Sequence, residues 1–192
     1  MGRKGKKTPA VFIDRDGTLI HERHYLRTVK GLRLFAGAVK AMKLLKEAGF
    51  KLIMVTNQSG IGRGYLTEAT LARIHAHLEK MLKKQGVSFD GVYYCPHHPD
   101  VKCSCRKPNL GMVRAAQRRF GLDLKRSYVI GDHVNDFLLA QNMKGTGIFV
   151  LTGHGKHEQE KIRKSKGVLR PDHIEKNILT AARLIIRHKD RR

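Results

Sequence analysis

The 192-residue sequence contains no tryptophan, only three cysteines and few acidic residues, and it has no long apolar run. No apolar stretch approaches the roughly 18 residues that a membrane span needs, so we expect no membrane insertion. The odd number of cysteines, all within residues 95–105, argues against a secreted disulfide framework. The basic residues 1–9 lead into an apolar strand without a signal-peptide pattern, so the sequence predicts a cytoplasmic protein.

The scarcity of acidic residues leaves a net charge of +23, from 39 Lys and Arg against 16 Asp and Glu. Such a field attracts anions, including phosphorylated metabolites and nucleic acid. The aromatic residues do not alternate with the basic runs, as a base-stacking surface would require. The composition therefore favours a solvated basic surface, with a nucleic-acid interface as the second interpretation.

Short β-branched runs alternate along the chain with segments of helical periodicity, which predicts an α/β fold. We expect a doubly wound, mainly parallel, Rossmann-like sheet with helices on both faces. With 41% hydrophobic residues, the length supports one domain over residues 10–186, between basic tails at 1–9 and 187–192. Strands are predicted at residues 10–13, 51–55, 87–94, 127–130 and 147–151, and helices at residues 37–48, 67–86, 111–120, 135–143 and 174–187.

The first predicted strand stops at two carboxylates, Asp14 and Asp16, which Gly17 follows. In an open parallel sheet, ligands bind beyond the carboxyl ends of the strands, and two acids there suit a cation and a phosphate. Asp14 could attack phosphorus, and Asp16 could carry protons to and from oxygen atoms. From this stretch alone, a polar turn with two solvated acids is an equal alternative.

Three predicted strands end in polar residues, and the carboxyl ends of parallel strands meet at one edge of a sheet. The residues at these ends are Asp14 and Asp16, Thr56 and Asn57, and Asp132. Asp14, Asp132 and the backbone carbonyl of Asp16 would be hard oxygen ligands for Mg²⁺. Thr56 would hold phosphoryl oxygens, and Arg106 or Lys107 would stabilise charge during transfer.

The cysteines form a separate constellation with a histidine: Cys95, His97, Cys103 and Cys105. Three thiolates and one imidazole at such short spacings match a structural, tetrahedral Zn²⁺ site. His98 is an alternative ligand to His97, and a free-thiol loop is the other interpretation. A closed site of this kind would hold the loop that carries Arg106 and Lys107, and would not itself catalyse a reaction.

Four motifs resemble the haloacid-dehalogenase-like (HAD-like) phosphatases: Asp-x-Asp-Gly-Thr at 14–18, Val-Thr-Asn at 55–57, Arg-Lys-Pro at 106–108 and Gly-Asp…Asp at 131–136. Segments 56–64, 93–99 and 103–108 look more narrowly like those of D-glycero-D-manno-heptose-1,7-bisphosphate 7-phosphatases and the related histidinol-phosphate phosphatases. The resemblance implies Mg²⁺-dependent removal of the 7-phosphate of the heptose bisphosphate through an aspartyl-phosphate. The product would lead to nucleotide-activated heptose for lipopolysaccharide biosynthesis.

The resemblance also implies roles for individual residues. Asp14 would be the nucleophile and Asp16 the general acid/base, with Mg²⁺ between Asp14, the Asp16 carbonyl and Asp132. His97 would be the histidine ligand of the zinc site. Thr56, Arg106 and Lys107 would act in catalysis, and the implied substrate-binding residues are Glu22, Arg23, His24, Tyr25, Asn57, Gln58, Ser59, Arg106, Lys107 and His133.

One loop and one helix nearly fill the interval between Asp16 and Thr56, so we expect no large cap domain. The surrounding loops would then select a small phosphorylated sugar for a monomeric enzyme, although an open site also admits a phosphorylated polymer end. Histidinol phosphate and a nucleic-acid 3′ end are the alternative substrates. A basic nucleic-acid-binding protein without turnover is the alternative from another class. His75 and His77, on the predicted helix at 67–86, are expected at the surface.

Overall fold

In a computed structural model of the chain, which describes residues 7–190, six strands form one parallel sheet. They are β1 (Ala10–Ile13), β2 (Lys51–Asn57), β3 (Gly91–Cys95), β4 (Tyr128–Gly131), β5 (Thr146–Val150) and β6 (His173–Glu175). Their order across the sheet is β3-β2-β1-β4-β5-β6, and every pairing is parallel. The chain reverses its direction across the sheet between β1 and β4, which is where ligands bind in doubly wound folds.

The described residues also form seven α-helices, six between strands and the last after β6: α1 (Ala38–Glu47), α2 (Ser59–Gly62), α3 (Glu68–Lys84), α4 (Gly111–Phe120), α5 (Val134–Asn142), α6 (Gly155–Lys164) and α7 (Ile178–Asp190). Alternate residues of β1 face two separate cores. Val11 and Ile13 pack with α1, α3 and α7, whereas Ala10 and Phe12 pack with α4 and α5. Both faces of the sheet are therefore covered, which confirms the predicted fold class.

Helix α3 shows how the local sequence specifies an element. The Thr67 hydroxyl caps it by accepting from the backbone N–H of Thr70 at 3.1 Å. Its buried stripe consists of Leu71, Ile74, Leu78 and Leu82, with Met81 packed beside it. Burying each such side chain contributes about 1.5–3 kcal/mol. None of the helices in the described part of the chain is long and apolar enough to cross a membrane.

The segment between β1 and α1 is a loop closed by an antiparallel bridge between Ile20 and Leu34. This confirms the predicted loop, and no large cap domain is present among residues 7–190. Other boundaries were wrong. β3 starts at residue 91 instead of 87, and α6 and β6 were not predicted. The last helix begins at residue 178 instead of 174 and extends through residues 187–190 of the predicted tail; residues 1–6 and 191–192 lie outside the described residues.

Candidate active site

A cleft of about 400 Å³ opens at the carboxyl edge of the sheet, beside the β1–β4 crevice. The predicted site residues that line it are Asp14, Asp16, Glu22, His24, Tyr25, Thr56, Asn57, Gln58, Ser59, Arg106, Lys107, Asp132 and His133. Arg23, predicted to bind substrate, is exposed and does not line this cleft. The strand ends therefore converge as the parallel topology requires.

Three carboxylates cluster at the base of the cleft, at the ends of β1 and β4 and in the first turn of α5. Asp14 and Asp132 line the cleft, and Asp136 lies next to them. Oxygen atoms of Asp14, Asp132 and Asp136 all lie within 4.8 Å of one another. The Lys107 ammonium donates to Asp14 Oδ1 at 2.7 Å and to Asp136 Oδ1 at 2.6 Å. It also donates to the Val55 carbonyl at 3.1 Å. Lys107 thus joins the loop after Cys105 to the end of β1, to β2 and to the first turn of α5.

Two glycines make room for this concentration of carboxylates. A Cβ on Gly17 would lie 2.0 Å from Asp132 Oδ2, and the residue's φ of +75° also disfavours a side chain. A Cβ on Gly131 would lie 2.1 Å from Asp136 Cγ. The Asp132 side chain accepts from Thr18 Oγ1 at 3.3 Å and from the His154 backbone N–H at 2.7 Å. The glycines therefore act by their lack of a side chain.

The carboxylates in this cluster outnumber the positive groups that could neutralise them. Burial, with the nearby carboxylates Asp14 and Asp136, raises the pKa of Asp132 to about 8. Burial is also the main cause that raises the pKa of Asp14 to about 6, with Lys107 opposing it. For Lys107, burial opposes the charged form, but Asp136 and Asp14 overcome it and raise its pKa. One ammonium faces three carboxylates, so this donor set fits a divalent cation with oxygen preference.

Asp16 lies to one side of the carboxylate cluster, in a hydrogen-bonded network with Arg15, Gln58 and Thr56. Arg15 Nε and Nη2 donate to the two carboxylate oxygens of Asp16 at 2.9 and 3.0 Å. Gln58 Nε2 donates to Asp16 Oδ2 at 2.9 Å and to Thr56 Oγ1 at 2.8 Å. Asp16 is therefore held by the side chain that precedes it and by the end of β2.

Asn57 and Arg106 place the cationic end of the cleft. The Lys107 backbone N–H donates to Asn57 Oδ1 at 3.0 Å, and Asn57 Nδ2 donates to the Lys107 carbonyl at 3.3 Å. Arg106 lines the cleft, and the buried Nη1 of its guanidinium has no hydrogen-bond partner among the described residues. A buried guanidinium N–H without an acceptor is suited to an anionic ligand.

The mouth of the cleft is formed by the loop after β1. Glu22 Oε1 accepts from the backbone N–H groups of Arg23 and His24 at 2.8 and 2.7 Å. The Tyr25 ring packs edge-on against the Tyr65 ring, with centroids 4.9 Å apart. Ser59 begins α2 beneath this loop. Polar and aromatic groups therefore surround the entrance.

His133 and His154 enter the cleft from the opposite side. His133 caps α5, since its Nδ1 accepts from the Asn135 backbone N–H at 3.2 Å. Burial, together with Lys107, lowers its pKa, although Glu158 opposes this effect. His154 Nε2 lies 3.6 Å from Glu22 Oε2 across the mouth.

The predicted zinc ligands come together next to the cleft. Sulfur atoms of Cys95 and Cys103 are 3.7 Å apart, and those of Cys103 and Cys105 are 3.6 Å apart. His97 Nδ1 lies 3.2 Å from Cys105 Sγ and 3.5 Å from Cys95 Sγ. Tetrahedral Zn–S bonds of about 2.3 Å place sulfurs roughly 3.8 Å apart. The cluster can hold a metal, and its spacing fits zinc.

Sequence reasoning missed several residues of the site. Arg15, Asn135 and His154 line the cleft, and Asp136 completes the carboxylate cluster. Asp136 stands in the quoted Gly-Asp…Asp motif, which was the available signal. His75, expected at the surface, is half-buried: its Nε2 lies 3.0 Å from the buried Arg15 Nη1, and burial with Arg15 lowers its pKa to about 4.

An aspartate pair after the central strand of a parallel sheet, a buried lysine and acidic residues after β4 define the class: the chain is a HAD-like phosphatase. A sequence profile described as HAD-hydrolase-like matches residues 104–181. A solved structure of D,D-heptose 1,7-bisphosphate phosphatase from B. bronchiseptica, complexed with magnesium and phosphate, is similar with a TM-score of 0.84 and 28% identity. The match covers 94% of this chain and 99% of that chain.

Curated relatives specify the family further. The D-glycero-beta-D-manno-heptose-1,7-bisphosphate 7-phosphatase of Photorhabdus laumondii is 41% identical over 153 residues, covering 76% of this chain and 81% of that protein. The enzyme of the same name from Escherichia coli K12 is 40% identical over 157 residues, covering 77% and 82%. The chain belongs to the D-glycero-beta-D-manno-heptose-1,7-bisphosphate 7-phosphatase family.

Proposed function

We propose that this phosphatase removes the 7-phosphate of D-glycero-beta-D-manno-heptose 1,7-bisphosphate. The observation that carries the proposal is Asp14 at the end of β1, in contact with Lys107 and beside Asp132. The names of relatives at about 40% identity support this substrate. The mouth of the cleft, with Glu22, His24 and Tyr25, is polar enough to bind sugar hydroxyls.

In the first step, a carboxylate oxygen of Asp14 attacks phosphorus and the bond from phosphorus to the C7 oxygen breaks. Asp16 gives its proton to the departing oxygen, so the sugar leaves as an alcohol. Lys107 lies 2.7 Å from Asp14 Oδ1, where it orients the nucleophile and offsets charge on the phosphoryl group. The product of this step is an aspartyl-phosphate on Asp14.

In the second step, Asp16 takes a proton from a water molecule as that water attacks phosphorus. The bond between phosphorus and Asp14 breaks, which releases inorganic phosphate and restores both carboxyl groups. Thr56 and the Arg106 guanidinium would bind phosphoryl oxygens, since both line the cleft. Asn57 would act on substrate indirectly, through its two hydrogen bonds to the Lys107 peptide.

Two metal ions fit the donor sets. Asp14, Asp132 and the backbone carbonyl of Asp16 would hold Mg²⁺, which neutralises phosphate charge when bound. Asp136 is engaged by Lys107 and by the His133 backbone N–H at 3.1 Å, so we assign it to supporting Lys107. Cys95, His97, Cys103 and Cys105 would hold a structural Zn²⁺. Reduced thiols persist in the cytoplasm, and we place the enzyme there. We further propose that it acts as a monomer.

Phosphate release with Mg²⁺ across a substrate panel tests the proposal. The panel contains both anomers of heptose 1,7-bisphosphate, fructose 1,6-bisphosphate, histidinol phosphate and a 3′-phosphorylated oligonucleotide. We expect kcat/KM for the beta heptose anomer to exceed that for each of the other compounds by at least about 100-fold. A higher value for the oligonucleotide or histidinol phosphate would overturn the proposed substrate.

Replacing the nucleophile tests the chemistry separately. We expect Asp14→Asn to lower kcat by at least about 1,000-fold, because an amide cannot form the acyl phosphate. Its circular dichroism spectrum should match that of the wild type, since the amide keeps the shape of the carboxyl group. Asp100→Asn, at an exposed position, serves as the matched control and should retain full activity. Normal turnover by Asp14→Asn would contradict the mechanism.

A further inference from the structure

Arg15 is a buried cation that stands between the two acids of the Asp-x-Asp motif. It is 1% exposed, so its N–H groups depend on protein acceptors. Nε and Nη2 bind the two carboxylate oxygens of Asp16, and Nη2 also donates to Gln58 Oε1 at 2.8 Å. Nη1 points to a different part of the chain.

The acceptor for Nη1 is His75, which lies on α3 and 60 positions further along the chain. The distance from Arg15 Nη1 to His75 Nε2 is 3.0 Å. Because a guanidinium does not lose its proton, Arg15 donates and Nε2 must accept. This contact requires a neutral imidazole with its proton on Nδ1. Burial and the adjacent guanidinium favour the neutral ring by lowering its pKa to about 4.

Two further features restrict the position of the imidazole. Its ring packs edge-on against the Tyr94 ring of β3, with centroids 6.0 Å apart. Its backbone belongs to the middle of α3, whose neighbouring residue Ile74 is buried in the core. The acceptor is therefore attached to a packed element, although His75 itself does not line the cleft. An effect of His75 on the reaction must pass through Arg15.

We propose that His75 is a positioning residue: it fixes the Arg15 guanidinium, which in turn aligns the Asp16 carboxylate for proton transfer. The inference rests on the proposed role of Asp16 as general acid/base. Without an acceptor at position 75, the guanidinium loses one of its fixed hydrogen bonds and can rotate, and the bidentate pair with Asp16 moves with it. Proton transfer is sensitive to such displacements because its geometry must be met within a few tenths of an ångström.

Steady-state kinetics of three variants tests this relay. His75→Leu removes the acceptor and should lower kcat about 10-fold, with KM changed less than about twofold. His75→Gln offers an amide oxygen near the position of Nε2 and should recover kcat to within about threefold of the wild type. His77→Leu, at an exposed position on the same helix, is the matched control and should leave both constants unchanged. Equal loss in the Gln and Leu variants would overturn the proposal.

A double-mutant cycle shows whether the effect passes through Asp16. In an Asp16→Asn background, residual turnover is expected to be the same with His75 and with His75→Leu, because the group that His75 positions is gone. A second loss of about 10-fold in that background would show that His75 acts by another route and would overturn the proposal. Urea unfolding of each variant gives the folded fraction by which kcat is corrected.

Nitrogen-15 NMR of the wild-type imidazoles tests the contact without any substrate. We expect His75 to show a protonated Nδ1 and an unprotonated Nε2 at neutral pH. The reverse tautomer or a charged ring would contradict the inference. Because this measurement needs no turnover, it still tests the contact if the heptose bisphosphate proves not to be the substrate. Failure of the proposed function would appear in the wild-type substrate panel instead.

Discussion

At the scale of single residues, Lys107 places one ammonium group among carboxylates that would otherwise repel one another. It is 5% exposed and binds both Asp14 and Asp136. We expect Lys107→Met to lower the free energy of unfolding by about 3 kcal/mol at pH 7, because removing one partner leaves buried charge uncompensated. Urea denaturation in EDTA measures this change.

The control for that change is Lys102→Met, which removes an exposed lysine from the same loop. Its free energy of unfolding should stay within about 0.5 kcal/mol of the wild type. Similar small effects in both variants would show that the Lys107 ion pairs contribute little net stability.

Lys107→Met should also lower kcat by at least about 100-fold, since the orienting cation is lost.

Asp132 has the opposite effect on stability, and the effect depends on pH. Its pKa is raised from 3.8 to about 8 in the folded protein, mainly by burial. Between these values the folded protein binds more protons than the unfolded chain, so the free energy of unfolding falls as pH rises. In EDTA, we expect Asp132→Asn to raise the free energy of unfolding by at least about 1 kcal/mol at pH 8.

The gain from Asp132→Asn should be smaller at pH 5, where the folded wild type still carries the proton. Chemical denaturation in EDTA at both pH values checks the difference. An equal gain at both pH values, or a loss at pH 8, would exclude this explanation. The same variant should lose activity, because it removes a proposed metal ligand. On this explanation, the ionised Asp132 lowers the free energy of unfolding because the site gathers three buried carboxylates.

At the scale of elements, the cysteine loop delivers Arg106 and Lys107 to the cleft directly after Cys105. The loop is anchored to α2 by bonds from Gln58 N–H to the Cys95 carbonyl and from Gly62 N–H to the Pro96 carbonyl, both 2.8 Å long. We expect Cys105→Ser to lower zinc content well below about one ion per chain and kcat/KM by at least about 10-fold. Elemental analysis and phosphate release measure the two effects.

Ser104→Ala is the matched control for the cysteine substitution, since Ser104 is exposed and lies between two proposed ligands. It should keep both the zinc and the activity. In limited proteolysis, the loop should be cleaved faster in Cys105→Ser than in Ser104→Ala, because the proposed zinc ion no longer restrains the motion of the loop. Full zinc content in the Cys105→Ser protein would contradict the ligand assignment.

Local patterns predicted the elements whose signals lie within a few residues. The end of β1, the start of β2 and the cap of α3 are of this kind, because apolar runs, turn residues and caps are neighbours in the sequence. The end of β2 was predicted two residues too early, at residue 55 instead of Asn57. Helix α6 carries no such apolar stripe: of its side chains, only Glu158 is buried. β6 has three residues and no buried side chain. Val87 and Phe89 alternate like a strand but are buried in the irregular segment that precedes β3.

In the candidate site too, the residues with a local sequence signal were predicted, and those without one were missed. Asp14, Asp132 and Lys107 each stand at a strand end or in a short motif, so sheet topology brings them together. The contact between Arg15 and His75 joins positions that are 60 apart, and neither residue carries a local signal for the other. Arg15 follows an apolar strand and stands between two aspartates, a position where a sequence pattern predicts an exposed turn residue. Only the packing of α3 against this turn shows that Arg15 is buried.

At the scale of the whole molecule, a net charge of +23 would attract the proposed substrate, which carries two phosphates. We expect kcat/KM for the heptose bisphosphate to fall several-fold between about 20 and about 300 mM NaCl, because salt screens long-range attraction. A sugar monophosphate should show a shallower decrease, since its charge is smaller. Equal salt dependence of the two substrates would indicate that the net charge of +23 does not guide them.

The position of β4 has a consequence for the order in which the protein is made. β1 ends at Ile13, and its second neighbour begins only at Tyr128. At roughly 5–20 residues per second, a ribosome needs on the order of ten seconds to supply that neighbour. Until then one edge of a fully apolar central strand has no partner, and such edges pair with other chains. Fragments that end before residue 128 should therefore aggregate, and nascent chains should depend on chaperones during this interval.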